Sequence, residues 1–317
     1  MRENLTAATA AFLAHKRALG RKYLSEEATL RLLVAFAADH GLDRLDQLSA
    51  ELLDAFVASR PRPRPRSFNQ LVGIVGCFLD WAVAQQLLAV SPLRTPRRRE
   101  TANYIPFLFD AAQARQILDA AAALPDNSRA TGRGTTYHAF FAICYGLGLR
   151  AGEVCGLRLG DVDADRNLLV VRGGKFGKSR LVPHGPRMAE LVAGQAERRG
   201  GPDDAPLFSF DGRRCLNPGT ASQVFRRLVV GLDFPVPDGV SPPRLHCLRH
   251  SFAVGCLLRW YRDGLDPSAR LYDLSTFMGH VDPTSTQIYL TITAELLDEA
   301  NRRFEAFTEP AWSEARP

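Results

Sequence analysis

The sequence predicts a mainly α-helical protein with one small antiparallel β-sheet, an α+β chain in two domains. Three observations carry this. Apolar residues recur at helical spacing through most of the 317 residues. Two short β-branched runs, 167–172 and 180–183, flank Gly173-Gly174-Lys175-Phe176-Gly177-Lys178 and read as a hairpin. Between 94 and 104, three arginines in a row and Pro96 interrupt the periodicity and mark a linker. The boundaries read as 1–95 for a helical domain, 96–106 for the basic linker and 107–317 for the second domain.

Taken in order, Leu5, Ala8, Phe12 and Leu13 lie on one helical face, and Leu30, Leu33, Val34, Ala37 and Ala38 on a second that ends at His40-Gly41. Ser49 caps a shorter third helix. Arg60-Pro61-Arg62-Pro63-Arg64-Pro65-Arg66 follows, a stiff, extended, non-helical strip. Ser67 caps the next helix, whose Leu71, Ile74, Val75, Phe78, Leu79, Trp81 and Ala82 predict burial on more than one side. Asp110 and Gln113 form a capping box opening a helix through Ala123. An apolar helix over 135–145 ends at Gly146-Leu147-Gly148-Leu149, and another starts at Arg150. Further helices are expected at 186–199, 219–231, 247–262, 270–279, 283–290 and 294–307.

Composition narrows the class. With 46% apolar residues the chain can bury two cores. It shows no apolar run of the ~18 residues a membrane span needs and no signal-peptide pattern, so a cytoplasmic protein without a membrane partner is expected. Six scattered cysteines without a Cys-x-x-Cys pair read as buried hydrophobes rather than disulfides or a zinc site. The net charge of +6 is uneven: residues 1–104 hold 15 Lys+Arg against 10 Asp+Glu, the remainder 25 against 24. Two arginine-rich connectors favour a DNA clamp, with Arg62, Arg64, Arg66, Arg97, Arg98 and Arg99 as phosphate contacts.

The chemistry-bearing residues lie in the second domain. Arg150 follows a glycine turn at a helix start, where backbone amides favour an anion. Arginine supplies 36 of the 40 basic residues, yet the hairpin tip keeps Lys175 and Lys178. An ammonium there can act as a general acid, because lysine pKa values fall readily beside other cations. His246 and Arg249 are neighbours on one helical face: arginine forks onto phosphate oxygens, and histidine donates to one or accepts the attacker's proton. His246 and His250 have the spacing of a metal pair but lack the glutamate and third ligand of a zinc site. His280 follows Gly279 at a helix end. Tyr289 falls near the end of a short helix, and neighbouring cations would depress its phenol from a pKa of about 10.

These pieces, in this order, resemble the tyrosine recombinase or phage integrase family. The resemblance rests on Gly148-Leu149-Arg150-Ala151-Gly152-Glu153, the lysine of Gly174-Lys175-Phe176-Gly177-Lys178-Ser179-Arg180-Leu181-Val182-Pro183, His246-Cys247-Leu248-Arg249-His250, Gly279-His280 and Tyr289. It implies a helical core-binding domain ahead of a tyrosine-recombinase catalytic domain, the C-terminal helix contacting another subunit. It also implies site-specific recombination of double-stranded DNA through a 3′-phosphotyrosine on Tyr289. Arg150 and Arg249 would hold the phosphate, Lys175 would protonate the 5′ oxygen, His246 would take the tyrosine proton and His280 would bond the phosphate. No metal or nucleotide cofactor is implied. The implied partners are DNA, further copies of the chain in a tetrameric synapse, and other recombinases of the same mobile element. Integration or transposition is the implied setting, a type IB topoisomerase or an inert accessory homologue the alternative. The 31 residues from Arg249 to His280 exceed the spacing of compact members.

Overall fold

A computed structural model describes residues 4–99, 105–173, 179–279 and 302. The chain divides into two compact units, Met1–Asn103 and Tyr104–Pro317.

The first unit is helical: α1 (Leu5–Ala18), α2 (Leu24–Asp39), α3 (Ala50–Ala58) and α4 (Pro65–Ala84), with a 3₁₀ turn at Leu45–Gln47. Asn4 caps α1 through the amides of Thr6 and Ala7, and Ser49 caps α3 through Leu52. Leu5, Ala8 and Phe12 of α1, Leu30, Leu33 and Ala37 of α2, and Phe78, Leu79 and Ala82 of α4 share one core. Ala38, expected on the buried face of α2, is exposed. Among the described helices α4 alone is long and apolar enough to cross a membrane, a length the sequence reading did not credit. Phe68, Leu71, Val72, Val75, Phe78, Leu79 and Ala82 bury its apolar side against protein.

The start of α4 corrects the sequence reading. The helix begins at Pro65 rather than after a Ser67 cap, so Arg66 is helical and the extended strip ends at Arg64. Proline lacks an amide that the first turn could not have bonded anyway, and its fixed φ suits that position.

The second unit contains α5 (Ala111–Ala122), α6 (Arg133–Gly146), α7 (Ala151–Cys155), β1 (Val162–Asp163), β2 (Leu168–Val171), β3 (Arg180–Pro183), α8 (Pro186–Arg199), α9 (Pro218–Leu232), α10 (Leu245–Arg262) and α11 (Pro267–Met278). The capping box at Asp110 and Gln113 is formed. The sheet is antiparallel in the order β1-β2-β3, with Val171 opposite Arg180 on the rung that closes the hairpin. Strand β1 was not expected, because two residues carry no alternation to detect. Helix α6 is the centre of this core, with Tyr137, Phe140, Phe141, Ile143 and Cys144 all buried. Gly134 lets it press against α5, since a Cβ there would lie 2.1 Å from the Ala122 carbonyl oxygen.

Helices α10 and α11 start two and three residues earlier than expected. The Asp266 side chain caps α11 and Pro267 is its first residue, a start signal overlooked in the sequence. The helices expected at 283–290 and 294–307 lie outside the described residues, Arg302 excepted. Cys144, Cys155 and Cys247 are buried, whereas Cys77 and Cys215 are exposed, against the expectation of burial.

Candidate active site

The site is built where three chain segments meet. The turn between α6 and α7 supplies Arg150 at the N-cap of α7. The turn reaches that position through Gly148 at φ +60°, a conformation unfavourable for side chains with a Cβ. Space enforces the same choice, because a Cβ on Gly148 would lie 2.3 Å from the Phe252 ring. Helix α10 supplies His246 and Arg249 from its first two turns. The end of α11, at Phe277 to Gly279, is the third side, and Gly279 leaves the helix in the left-handed region.

Arg249 is buried, with 1% exposure. Its Nη1 donates to the Gly148 carbonyl at 2.5 Å and its Nη2 to the Met278 carbonyl at 2.8 Å. One guanidinium thereby ties the α6–α7 turn to the end of α11. Arg150 reaches the next residue of the same turn: both its terminal nitrogens lie 3.3–3.4 Å from the Gly279 carbonyl. Ser251 anchors α10 from behind, its hydroxyl donating to the Cys247 carbonyl and accepting from the Phe109 amide.

His246 stands one turn before Arg249. The residue is exposed, yet the protein crowded around its ring, together with the charges of Arg249, Arg150 and Arg244, pushes its pKa down to about 4. At neutral pH it is an uncharged imidazole able to accept a proton. His250 packs edge-on to it, ring centroids 4.7 Å apart.

Two residues of this cluster were quoted in the sequence motifs without a role. Glu153 caps the Arg150 amide at 3.0 Å and accepts from Arg150 Nη1 at 2.8 Å. Arg180, the first residue of β3, forks onto the same carboxylate with two bonds of 3.0 Å and donates its Nε to the Phe277 carbonyl at 2.8 Å. Burial alone would raise the Glu153 pKa, but the bonds and charges of Arg180 and Arg150 outweigh it and hold it at about 2. The Glu153 cap has a local signal, three residues after the N-cap. The Arg180 contact has none, since its partners lie 27 and 97 positions away.

Of the six expected catalytic residues, Arg150, His246 and Arg249 are brought together. Lys175, His280 and Tyr289 lie outside the described residues. The arginines expected to track phosphate belong to the first unit, where Arg62, Arg64, Arg66, Arg97, Arg98 and Arg99 are all exposed. Their two runs meet. Asn69 brackets Arg98, accepting its amide and donating to its carbonyl, both at 2.8 Å. The Arg98 guanidinium lies 3.8 Å from the Phe68 ring centroid and donates to the Arg62 carbonyl.

The helical α+β frame that carries this cluster has known counterparts. The family model described as the phage integrase family matches residues 108–295, and the chain belongs to that family of tyrosine recombinases. It is 33% identical over 302 residues to a Sinorhizobium fredii protein named integrase/recombinase y4rB, covering 93% of this chain and 95% of that one. Tyrosine recombinase XerC of Rhodospirillum centenum is 32% identical over 301 residues, covering 90% of this chain and 82% of its own. The fold is shared with a crystal structure of a lambda integrase tetramer bound to a Holliday junction, at a TM-score of 0.63 and 18% identity over 91% of this chain and 77% of that one.

Proposed function

We propose that the chain is a site-specific DNA recombinase of the integrase or transposase type that cuts and rejoins DNA through a 3′-phosphotyrosine. The observation that carries this reading is the convergence of Arg150 and Arg249 on the carbonyls of Gly279 and Met278, with His246 one turn away. A phosphodiester in the transition state gains negative charge on its non-bridging oxygens, and preorganised cations are the main source of its stabilisation. Family membership and the curated relatives support the substrate class.

In this mechanism the Tyr289 phenol oxygen attacks the scissile phosphorus while its proton passes to His246, uncharged at neutral pH. The bond from phosphorus to the 5′ oxygen breaks, and Lys175 donates the proton that makes the leaving 5′-hydroxyl. Arg150 and Arg249 bind the non-bridging oxygens, with His280 as a further donor. The linkage energy stays in the phosphotyrosine, and attack by a partner strand's 5′-hydroxyl reverses the steps. The exposed Arg62, Arg64, Arg66, Arg97, Arg98 and Arg99 grip the duplex backbone, the basic segment 96–106 also connects 1–95 to 107–317, and 107–317 carries the chemistry. Several copies assemble on DNA, as a tetramer in the synapse.

The test uses nicked suicide duplexes carrying the ends of the cognate element. Wild-type protein is expected to form a covalent protein–DNA adduct that Tyr289→Phe abolishes. No adduct on those ends would refute the reading, and adduct without strand exchange would favour topoisomerase-like chemistry.

A further inference from the structure

Glu153 is approached by two guanidiniums, and one carboxylate cannot neutralise both. Its Oε1 accepts from Arg150 Nη1 and Arg180 Nη1, its Oε2 from the Arg150 amide and Arg180 Nη2. Arg180 makes the forked, two-bond pair, the geometry in which guanidinium and carboxylate bind most strongly. The Arg150 side chain makes a single bond to the carboxylate. The Arg180 and Glu153 side chains are 13% and 5% exposed, Arg150 24%. The three groups therefore sum to one positive charge, and the guanidinium most open to a ligand is Arg150.

Arg180 also fixes the surface that Arg150 touches. Its Nε holds the Phe277 carbonyl, and its Nη1 fills the space above Gly279, where a Cβ would come within 2.6 Å. The β3 backbone that presents it is registered against Val171, on the rung closing the hairpin.

We infer that Arg180 is a positioning residue for strand cleavage: it neutralises Glu153 and holds the Phe277–Gly279 turn, so that Arg150 keeps its positive charge for the phosphate. The inference rests on the phosphodiester reading above and assigns Arg180 no contact with DNA. Removing Arg180 would leave Glu153 and Arg150 as a closed, neutral pair. In the intact protein the bonds and charges of Arg180 and Arg150 hold the pKa of the Glu153 carboxyl at about 2, so it is ionised at working pH and draws on both guanidiniums.

The test separates the chemical step from binding. On nicked duplexes of the cognate ends, Arg180→Gln is expected to slow adduct formation at saturating DNA about tenfold to a hundredfold, the range for losing part of an oxyanion's stabilisation, with the DNA dissociation constant nearly unchanged. Arg180→Lys should restore part of the rate, supplying charge without the fork. The deciding variant is Glu153→Gln combined with Arg180→Gln: with the carboxylate gone, it should be faster than Arg180→Gln alone. A double variant no faster than the single one would overturn the charge-balancing role and leave a structural staple. A wild-type rate for Arg180→Gln would overturn the inference outright. If Arg180→Gln fails to fold by circular dichroism, Arg180→Lys against wild type carries the test, and equal rates would refute it. No adduct from wild-type protein would instead refute the recombinase reading on which it rests.

Discussion

The two units use arginine in opposite ways. In the first, Arg62, Arg64, Arg66, Arg97 and Arg99 stand in solvent around the start of α4, and Arg98 lies over the Phe68 ring and ties the two runs together. In the second, Arg249 and Arg180 turn inward and end on backbone carbonyls or a buried carboxylate. Exposed guanidiniums keep their hydration and offer a screened, adjustable attraction to any phosphate backbone. Inward-held ones are fixed before a ligand arrives and need no reorganisation when charge develops. On the proposed function, affinity and chemistry fall to different residues, and each assignment can be broken separately.

The sharpest break is Arg249→Ala. It leaves the Gly148 and Met278 carbonyls without the donor that joins them, so a loss of about 3 kcal/mol or more in unfolding free energy is expected, measured by urea titration. Adduct formation should fall about a hundredfold or more under conditions where the variant is folded. A smaller effect comes from acid. Glu153 has a folded-state pKa of about 2, below its ordinary 4.5, so its contribution to stability is complete above pH 4.5 and lost as pH falls toward 2. Glu153→Gln should make the melting temperature less steeply dependent on pH within that window. An unaltered slope would mean that the bonds to Arg150 and Arg180 do not hold the carboxylate ionised. The smallest effects belong to the exposed set. Replacing Arg62, Arg64 or Arg97 singly by Gln should leave stability unchanged and lower the log–log salt slope of DNA binding by about 0.9 for each phosphate no longer neutralised. Loss of stability in these variants would erase the contrast between the two units.

Much of this was legible because the signals were local. The Asp110–Gln113 box, the Ser49 cap, the periodic faces of α1 and α2 and the glycine-rich hairpin all announce themselves within a few residues. Arg150, His246 and Arg249 could be singled out because a glycine turn and a three-residue spacing suffice to give each a plausible chemistry. The start of α4 was misplaced because a proline serves equally as helix breaker and as first helical residue, and the adjoining Arg-Pro repeats favoured the first sense. Arg180 was passed over for a different reason. In sequence it is one more basic residue beside a strand, and only folding brings it to Glu153 and Phe277. The meeting of residues 62 and 98 through Asn69 was equally invisible, since no periodicity links positions so far apart.

Gly148 and Phe252 carry a consequence for how this site can change over generations. The ring occupies the volume that any side chain at 148 would need, and the carbonyl of the same glycine is what Arg249 grips. A side chain at 148 would meet both the ring and a strained φ of +60°, and a smaller residue at 252 would relieve only the first. A change at 252 alone therefore cannot open 148 to another residue, and the grip of Arg249 on this turn depends on a single glycine.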